Sequence, residues 1–360
     1  GFLTRDFSIA FVADHSNSAM PVGLTLAALW GGQEGSLLYW TWMLSLFGAV
    51  AAWRMLRRDA SLGPWGLAVL GSIQLFFTAV LVFASSPFQR LAIPPPDGRG
   101  LNPLLWDSGM QIHPPMLLMG YLSFTIPFAF ALAMLLRGQV RQAWLREMRN
   151  WMLLAWAIQS AGLLLGAWWA YRVLGWGGYW GWDPVEIAAF MPWLTGPAFL
   201  HSVMIQEKRG MFKRWNMILV ILTYALVIFG TFLTRSGVLS SVHAFAQSTI
   251  GPLFFIFIGI TFAISLKLLF RGWERLSSEN VLASWLSREG LFLLNNLLFM
   301  GILVACFWGV IYPLISELVT GQKVTVGPPF YERTTGPQFA ALLLLMGVAP
   351  LAAWRVTTVR

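Results

Sequence analysis

Four histidines, His15, His113, His201 and His243, are the only imidazoles in this chain of 360 residues. An imidazole can carry a proton near neutral pH or ligate a metal. Between two of them lies a stretch of unusual density, GWGGYWGWDPVE at residues 175–186. Trp176, Tyr179, Trp180 and Trp182 alternate there with glycines, and Asp183, Pro184 and Glu186 close the run. Rings on a glycine-rich loop make a stacking surface for a large flat ligand, because glycine permits close backbone approach and dihedrals that other residues avoid. An interfacial aromatic belt would explain one or two of the rings but not the interleaving. No Gly-Lys-Ser/Thr follows, so the stretch is not a phosphate-binding loop. Its end has a sufficient structural explanation, with Asp183 as N-cap, Pro184 at the first helical position and Glu186 completing a capping box.

The elements that must hold these residues are membrane helices. The chain is 57% hydrophobic and 11% charged, against roughly 25% charged in soluble domains. A bilayer core needs about 20 apolar residues per helix. Nine segments qualify, near 37–54, 64–84, 114–136, 151–171, 187–206, 215–234, 249–270, 290–313 and 337–354. We expect an all-α, polytopic membrane bundle from 37 to 360, preceded by a segment, 1–36, on its outer side. The first residue is Gly1 and no signal peptide is present, so an internal fragment lacking N- and C-terminal helices is expected.

Most of the 24 lysines and arginines fall on alternate connections, around Arg54–Arg58, Arg137–Arg149, Lys208–Arg214, Lys267–Arg288 and Arg355–Arg360. By the positive-inside rule that side is cytoplasmic. The net charge of +9 is thereby explained by contact with the lipid bilayer, and nucleic acid is excluded as a partner. The single cysteine, Cys306, permits no internal disulfide, and without Cys-x-x-Cys-His the chain is not itself a c-type haem carrier.

The opposite side holds residues 85–113, 172–186 and 235–248, and with them His113, the aromatic loop and His243. In IHPPMLLMGY, Pro114 and Pro115 suit a first helical turn, which places His113 in the loop just before the span. His243 lies in TRSGVLSSVHAFA, a short loop between two spans. Singly each reads as a turn or interfacial histidine; together, flanking an aromatic platform, they read as axial ligands for haem iron. Arg172 and Arg235 lie on this side against the charge bias. They either snorkel to headgroups or pair bidentately with haem propionates. His201 falls fifteen residues into its span, about 20 Å down the helix. It is either hydrogen-bonded to a neighbouring helix or a functional group in the membrane.

The ordered set GWGGYWGWDPVEIAAFMPWL, HPPMLLMGY, TRSGVLSSVHAFA, ADHSNSAMP and WGGQEGSLL resembles the tryptophan-rich WWD haem-handling family, and within it the CcmF family of haem lyase subunits of bacterial cytochrome c maturation. The resemblance runs from about residue 8 to about 350. It implies an inner-membrane enzyme that receives substrate haem from the periplasmic chaperone CcmE. That haem is joined by thioether bonds to the Cys-x-x-Cys-His of an apocytochrome c presented by a CcmH-type subunit. By the same resemblance, His113 and His243 match the periplasmic axial ligands, and Trp176, Trp180, Trp182 and Asp183 the haem-cradling signature, in which Tyr179 and Gly181 depart from the usual pattern. His201 matches one of two transmembrane ligands of a resident haem b thought to reduce the incoming iron. The second has no counterpart before Arg360, and the family's Asn after Pro-Val-Glu is Ile187 here.

Two other readings stay open on the residues alone. A haem exporter would need an acceptor site on the basic side, whose connections contain no histidine and few aromatics. A membrane scaffold would bind partners through the aromatic loop, but has no use for an imidazole at the position of His201.

Overall fold

The computed structural model describes residues 1–58, 61–175, 177–238 and 250–354. Two short helices, α1 (Ala10–His15) and α2 (Val22–Ala27), lie at one end of the bundle. They are followed by α3 (Gln33–Arg58), α4 (Gly63–Phe83), α5 (Ser108–Ser123), α6 (Thr125–Arg137), α7 (Gln142–Val173) and α8 (Pro184–Arg209). The chain continues through α9 (Lys213–Ser236), α10 (Gly251–Arg271), α11 (Arg288–Thr320) and α12 (Pro328–Val348). Among the described residues nine spans are long and apolar enough to cross a membrane, α5 and α6 acting as one from Ser108 to Arg137. All nine expected segments are present, and the fold is all-helical.

Helices that are apolar on every side belong in the interior. Thus α6, buried at every residue from Thr125 to Leu135, sits at the centre against α4, α7, α9 and α10. By contrast α10 and α12 expose most of their surface, as lipid-facing helices do.

The basic end is fastened by ion pairs between helices. Glu147 of α7 is buried and meets Arg54 at 3.2 Å and Arg58 at 2.8 Å, both from α3. Arg149 of α7 pairs with Glu207 of α8, and Arg209 of α8 meets Glu289 of α11 at 3.3 Å. The ends of α3 and α8 and the starts of α7 and α11 therefore share one end of the bundle, as the alternation of charge requires. The start of α5, which carries His113, belongs to the other, tied by Asp107 to Arg172 at the far end of α7.

That other end is packed through glycines. A Cβ on Gly162 of α7 would stand 2.8 Å from the Leu117 Cα, and one on Gly120 of α5 would stand 2.7 Å from the Gln159 Cα. So α5 and α7 touch backbone to backbone, which small residues allow in membrane helices.

Candidate functional site

His113 is in α5, not in the loop before it. The helix begins at Ser108 with Asp107 as its N-cap, accepting from the Gly109 N–H at 2.7 Å. Pro114 and Pro115 therefore sit inside the helix rather than at its first turn. A helical proline lacks the N–H that would bond four residues back. Pro114 thus frees the Met110 carbonyl, which accepts instead from the Trp30 indole N–H at 2.7 Å. The cap was legible in WDSGM; the prolines masked it.

The imidazole is fixed by α7. Its Nδ1–H donates to the Gly162 carbonyl at 2.9 Å, and its ring lies 5.6 Å from that of Trp169. A Cβ on Gly166 would come within 2.5 Å of the His113 Cε1. A backbone carbonyl can only accept, so the proton is on Nδ1 and the lone pair on Nε2, the tautomer that ligates a metal.

Two clefts meet at His113. One, of about 720 Å³ counted with its mouth open to solvent, runs along α7 to the aromatic loop, past Leu163, Trp169, Trp180 and Glu186. The other, about 970 Å³, runs between α3, α5 and α9, past Trp40, Tyr121, Thr231 and Arg235. Both are mostly apolar with few polar groups, as the linings of small-molecule sites are. Gly230 makes room here, since a Cβ on it would stand 2.7 Å from the Tyr121 hydroxyl.

Arg235 is not a surface arginine. It is 4% exposed and donates to the Gln33 carbonyl at 3.1 Å and to the Ser36 Oγ at 3.0 Å, both on α3. This rules out the snorkelling alternative and puts a fixed cation in the wall of the second cleft. Arg172 is placed differently. It pairs with Asp107 at 2.9 Å, donates to the Ser108 Oγ at 3.0 Å and lies over Trp168, so it clamps the start of α5 to the end of α7.

The aromatic loop does not form one platform. Trp180 alone among the described rings of the loop lines the His113 cleft. It also lines a third, more open cleft of about 950 Å³, with Trp156, Trp182, Phe190 and Trp193. Trp182 stacks on Tyr331 of α12 at 5.0 Å, with a backbone φ of +54° that non-glycine residues rarely adopt. Tyr179 stacks outward on Tyr171 at 4.4 Å. The capping box is formed, with the Val185 N–H donating to Asp183 at 3.0 Å. Glu186 accepts from the N–H groups of Asp183 at 3.1 Å and Gly181 at 3.0 Å, so one carboxylate sets both the helix start and the turn carrying Trp182. Trp176 and His243 lie outside the described residues.

His201 is separate from all of this. Counted from Pro184, it is roughly 25 Å along α8 at 1.5 Å per residue, about two turns before Arg209 ends the helix. It is thus deeper than the 20 Å expected, because the helix starts three residues earlier. Its Nδ1–H donates to the Asn295 Oδ1 of α11 at 2.8 Å, and its ring stacks on Phe292 at 5.0 Å. The hydrogen bond to a neighbouring helix is therefore real, and it leaves Nε2 with the lone pair. His201, Phe292, Asn295, Arg288, Leu345 and Met346 line a crevice of about 630 Å³. An apolar slot with one imidazole and a cation at its edge has the donor chemistry that a haem with its propionates takes, and His113 with Arg235 presents the same pair of groups. Among the described residues no group of three or more His, Cys, Asp or Glu side chains could hold a metal ion.

Sequence reading did not single out Trp169, Tyr121, Gly162, Gly166 or Asn295. The i, i+4 glycines of α7 and a polar Asn-Asn pair inside an apolar span were available signals.

A family model described as cytochrome C assembly protein matches residues 30–240. Over its whole length the chain is 45% identical to the cytochrome c-type biogenesis protein CcmF of Pseudomonas aeruginosa, covering 55% of that protein. It is 43% identical to the cytochrome c-type biogenesis protein CycK of Bradyrhizobium diazoefficiens, with 98% of this chain and 54% of that one covered. A solved structure titled cytochrome c heme lyase CcmF superposes on the full chain with a TM-score of 0.79 at 35% identity, over 53% of its own length. The chain spans about half the length of the relatives it matches. With more than half of its residues inside the family model, and with paired clefts around a membrane histidine, this chain belongs to the cytochrome c assembly protein family.

Proposed function

We propose that this chain forms the haem-positioning part of an inner-membrane haem lyase, with its outer site on the periplasmic side. Substrate haem arrives from a CcmE-type chaperone. It is held by His113 and His243 on its iron, by Trp180 with Trp176 about the macrocycle, and by Arg235 at a propionate, while Trp182, stacked on Tyr331, braces the turn that carries Trp180. Asp183 acts by building the loop. Arg172, engaged by Asp107, anchors the second propionate only by exchanging that carboxylate for another.

Attachment to apocytochrome c, presented by a CcmH-type subunit, adds each cysteine S–H across a haem vinyl group. The sulfur bonds to one vinyl carbon and the hydrogen ends on the other, with no net oxidation. Holding thiol and vinyl in register can supply on the order of 7–11 kcal/mol of the barrier. One of the two imidazoles then leaves so that the histidine of Cys-x-x-Cys-His can bind. A resident haem b, if held at His201, would supply one-electron chemistry, passing an electron to the incoming ferric iron and taking one back from a membrane electron donor. His201 and the walls of its crevice hold that group.

The observation that carries this reading is His113, proton fixed on Nδ1 by the Gly162 carbonyl, at the junction of two clefts walled by Trp180 and Arg235. Its test is haem transfer to apocytochrome c by the full-length protein in its assembled complex. His113→Ala and His243→Ala should each abolish transfer while the purified protein keeps its helical content. Full transfer by either variant overturns the role.

A further inference from the structure

His201 is gripped by one face of α11. Phe292, Asn295 and Phe299 recur at the spacing of that face, i, i+3 and i+7. Phe292 lies parallel to the imidazole, at 5.0 Å and 4°; Phe299 approaches it at 6.4 Å and 34°. Asn295 accepts the Nδ1 proton at 2.8 Å and is itself buried, 6% exposed. The ring is therefore fixed in plane by stacking and in rotation by one hydrogen bond.

The next residue secures the helix that does this. Asn296 accepts from the Trp215 indole N–H of α9 at 3.0 Å and donates to the Phe292 carbonyl at 2.8 Å. Next to His201 on α8, Ser202 donates to Asn216 of α9, and the Asn216 amide donates to Gln206 at 2.6 Å. Helices α8, α9 and α11 are thus joined by buried side-chain hydrogen bonds close to His201.

We infer that Asn295 is a positioning residue for His201: its carbonyl oxygen holds the imidazole in the Nδ1–H tautomer and sets the electron-donating strength of Nε2 toward a haem iron in the adjoining crevice. This deepens the proposed function and rests on His201 being an axial ligand. The partner of a ligating histidine's second nitrogen fixes the ring and raises its basicity, and its loss typically costs about 10- to 100-fold in affinity. A carboxylate at that place pulls the proton harder, makes the imidazole a stronger donor and favours ferric iron. An apolar side chain does the reverse.

The experiment uses the full-length protein in detergent, titrated spectroscopically between oxidised and reduced haem. The parent, His201→Ala, Asn295→Asp and Asn295→Leu are compared. Reduced b-type bands in the parent and their loss in His201→Ala are expected. Asn295→Asp should shift the ferric/ferrous equilibrium toward ferric iron, and Asn295→Leu toward ferrous iron, each by about tenfold, which for one electron is about 59 mV. Loss of haem from the leucine variant with retention in the aspartate variant supports the same role. Haem retained in both at the parent's potential, or lost from both with the thermal transition unchanged, overturns the role of Asn295 and leaves that of His201 standing. Bands that persist in His201→Ala, or a parent without them, overturn both.

Discussion

His113 and His201, the two histidines of the proposed haem sites that the structure describes, are held by different means. His113 gives its Nδ1 proton to a backbone carbonyl, Gly162, and rests against a position, Gly166, with no side chain. His201 gives its proton to an amide side chain and rests on a phenylalanine ring. The outer imidazole is thus positioned by the closeness of two helices, and the deep one by side chains on a helix at ordinary distance. The first arrangement cannot be altered by replacing its acceptor, only by forcing α5 and α7 apart. The second can be tuned residue by residue.

Gly166→Ala is the sharpest way to break this contrast. A methyl group 2.5 Å from the His113 Cε1 displaces the ring. Affinity for haem at the outer site should fall about 10- to 100-fold, read by haem titration, while the b-type bands attributed to His201 stay. Equal loss at both sites would show that they are not independently built.

Tryptophan-to-phenylalanine exchanges at positions 30 and 156 come next. Trp30 covers the carbonyl freed by Pro114, and Trp156 donates at 3.2 Å to the Trp193 carbonyl, which Pro197 frees in the same way. Each exchange leaves a carbonyl bare and should cost about 1–3 kcal/mol, measured by thermal unfolding in detergent. Trp30→Phe should disturb the outer site alone. Trp156→Phe should be felt at both, because α8 carries Trp193 between the aromatic loop and His201.

Trp180→Ala should have a smaller effect. Losing one ring from a stack removes about 0.5–1.5 kcal/mol, or up to about tenfold in outer-site affinity, with no change at His201. The smallest effect concerns the outer segment. Asp97 is held below its usual value near 3.8 by hydrogen bonds from the Ser18 hydroxyl, at 2.5 Å, and the Ser18 N–H, at 2.8 Å. A depressed carboxylate contributes stability that is present at neutral pH and lost as pH falls through its folded value. Protection of the Ser18 amide, its exchange rate taken against the intrinsic rate at the same pH, should therefore fall only below about pH 4, with neither histidine site responding.

The spans were legible because hydropathy and the alternation of arginines act locally along the chain. Their lengths were less so: α7 begins well before its apolar segment, at the basic end, where ion pairs such as Arg58–Glu147 join residues far apart in sequence, and α11 runs past its own at the outer end, to Thr320. His113, Trp180 and Arg235 were named from sequence, and the structure brings each to a wall of two adjoining clefts. Their roles were not equally legible. Arg235 read as either a headgroup neighbour or a propionate partner because nothing local announces its acceptors on α3, and Tyr179 read as part of a platform because sequence adjacency says nothing of which way a ring turns. Asn295 was missed because an asparagine in an apolar run gains meaning only from the helix it faces.

The indoles that cover proline-freed carbonyls have a consequence for how this chain can change over time. Trp30 and Pro114 are a couple made of residues 84 positions apart, as are Trp156 and Pro197 at 41. A mutation restoring the amide at either proline makes the indole redundant, and one removing either indole makes the proline a liability. Neither partner can drift alone without passing through a less stable protein, so such pairs should be inherited together. A share of the chain's 20 tryptophans thus answers to helix geometry, and their abundance overstates the size of any ligand-binding surface.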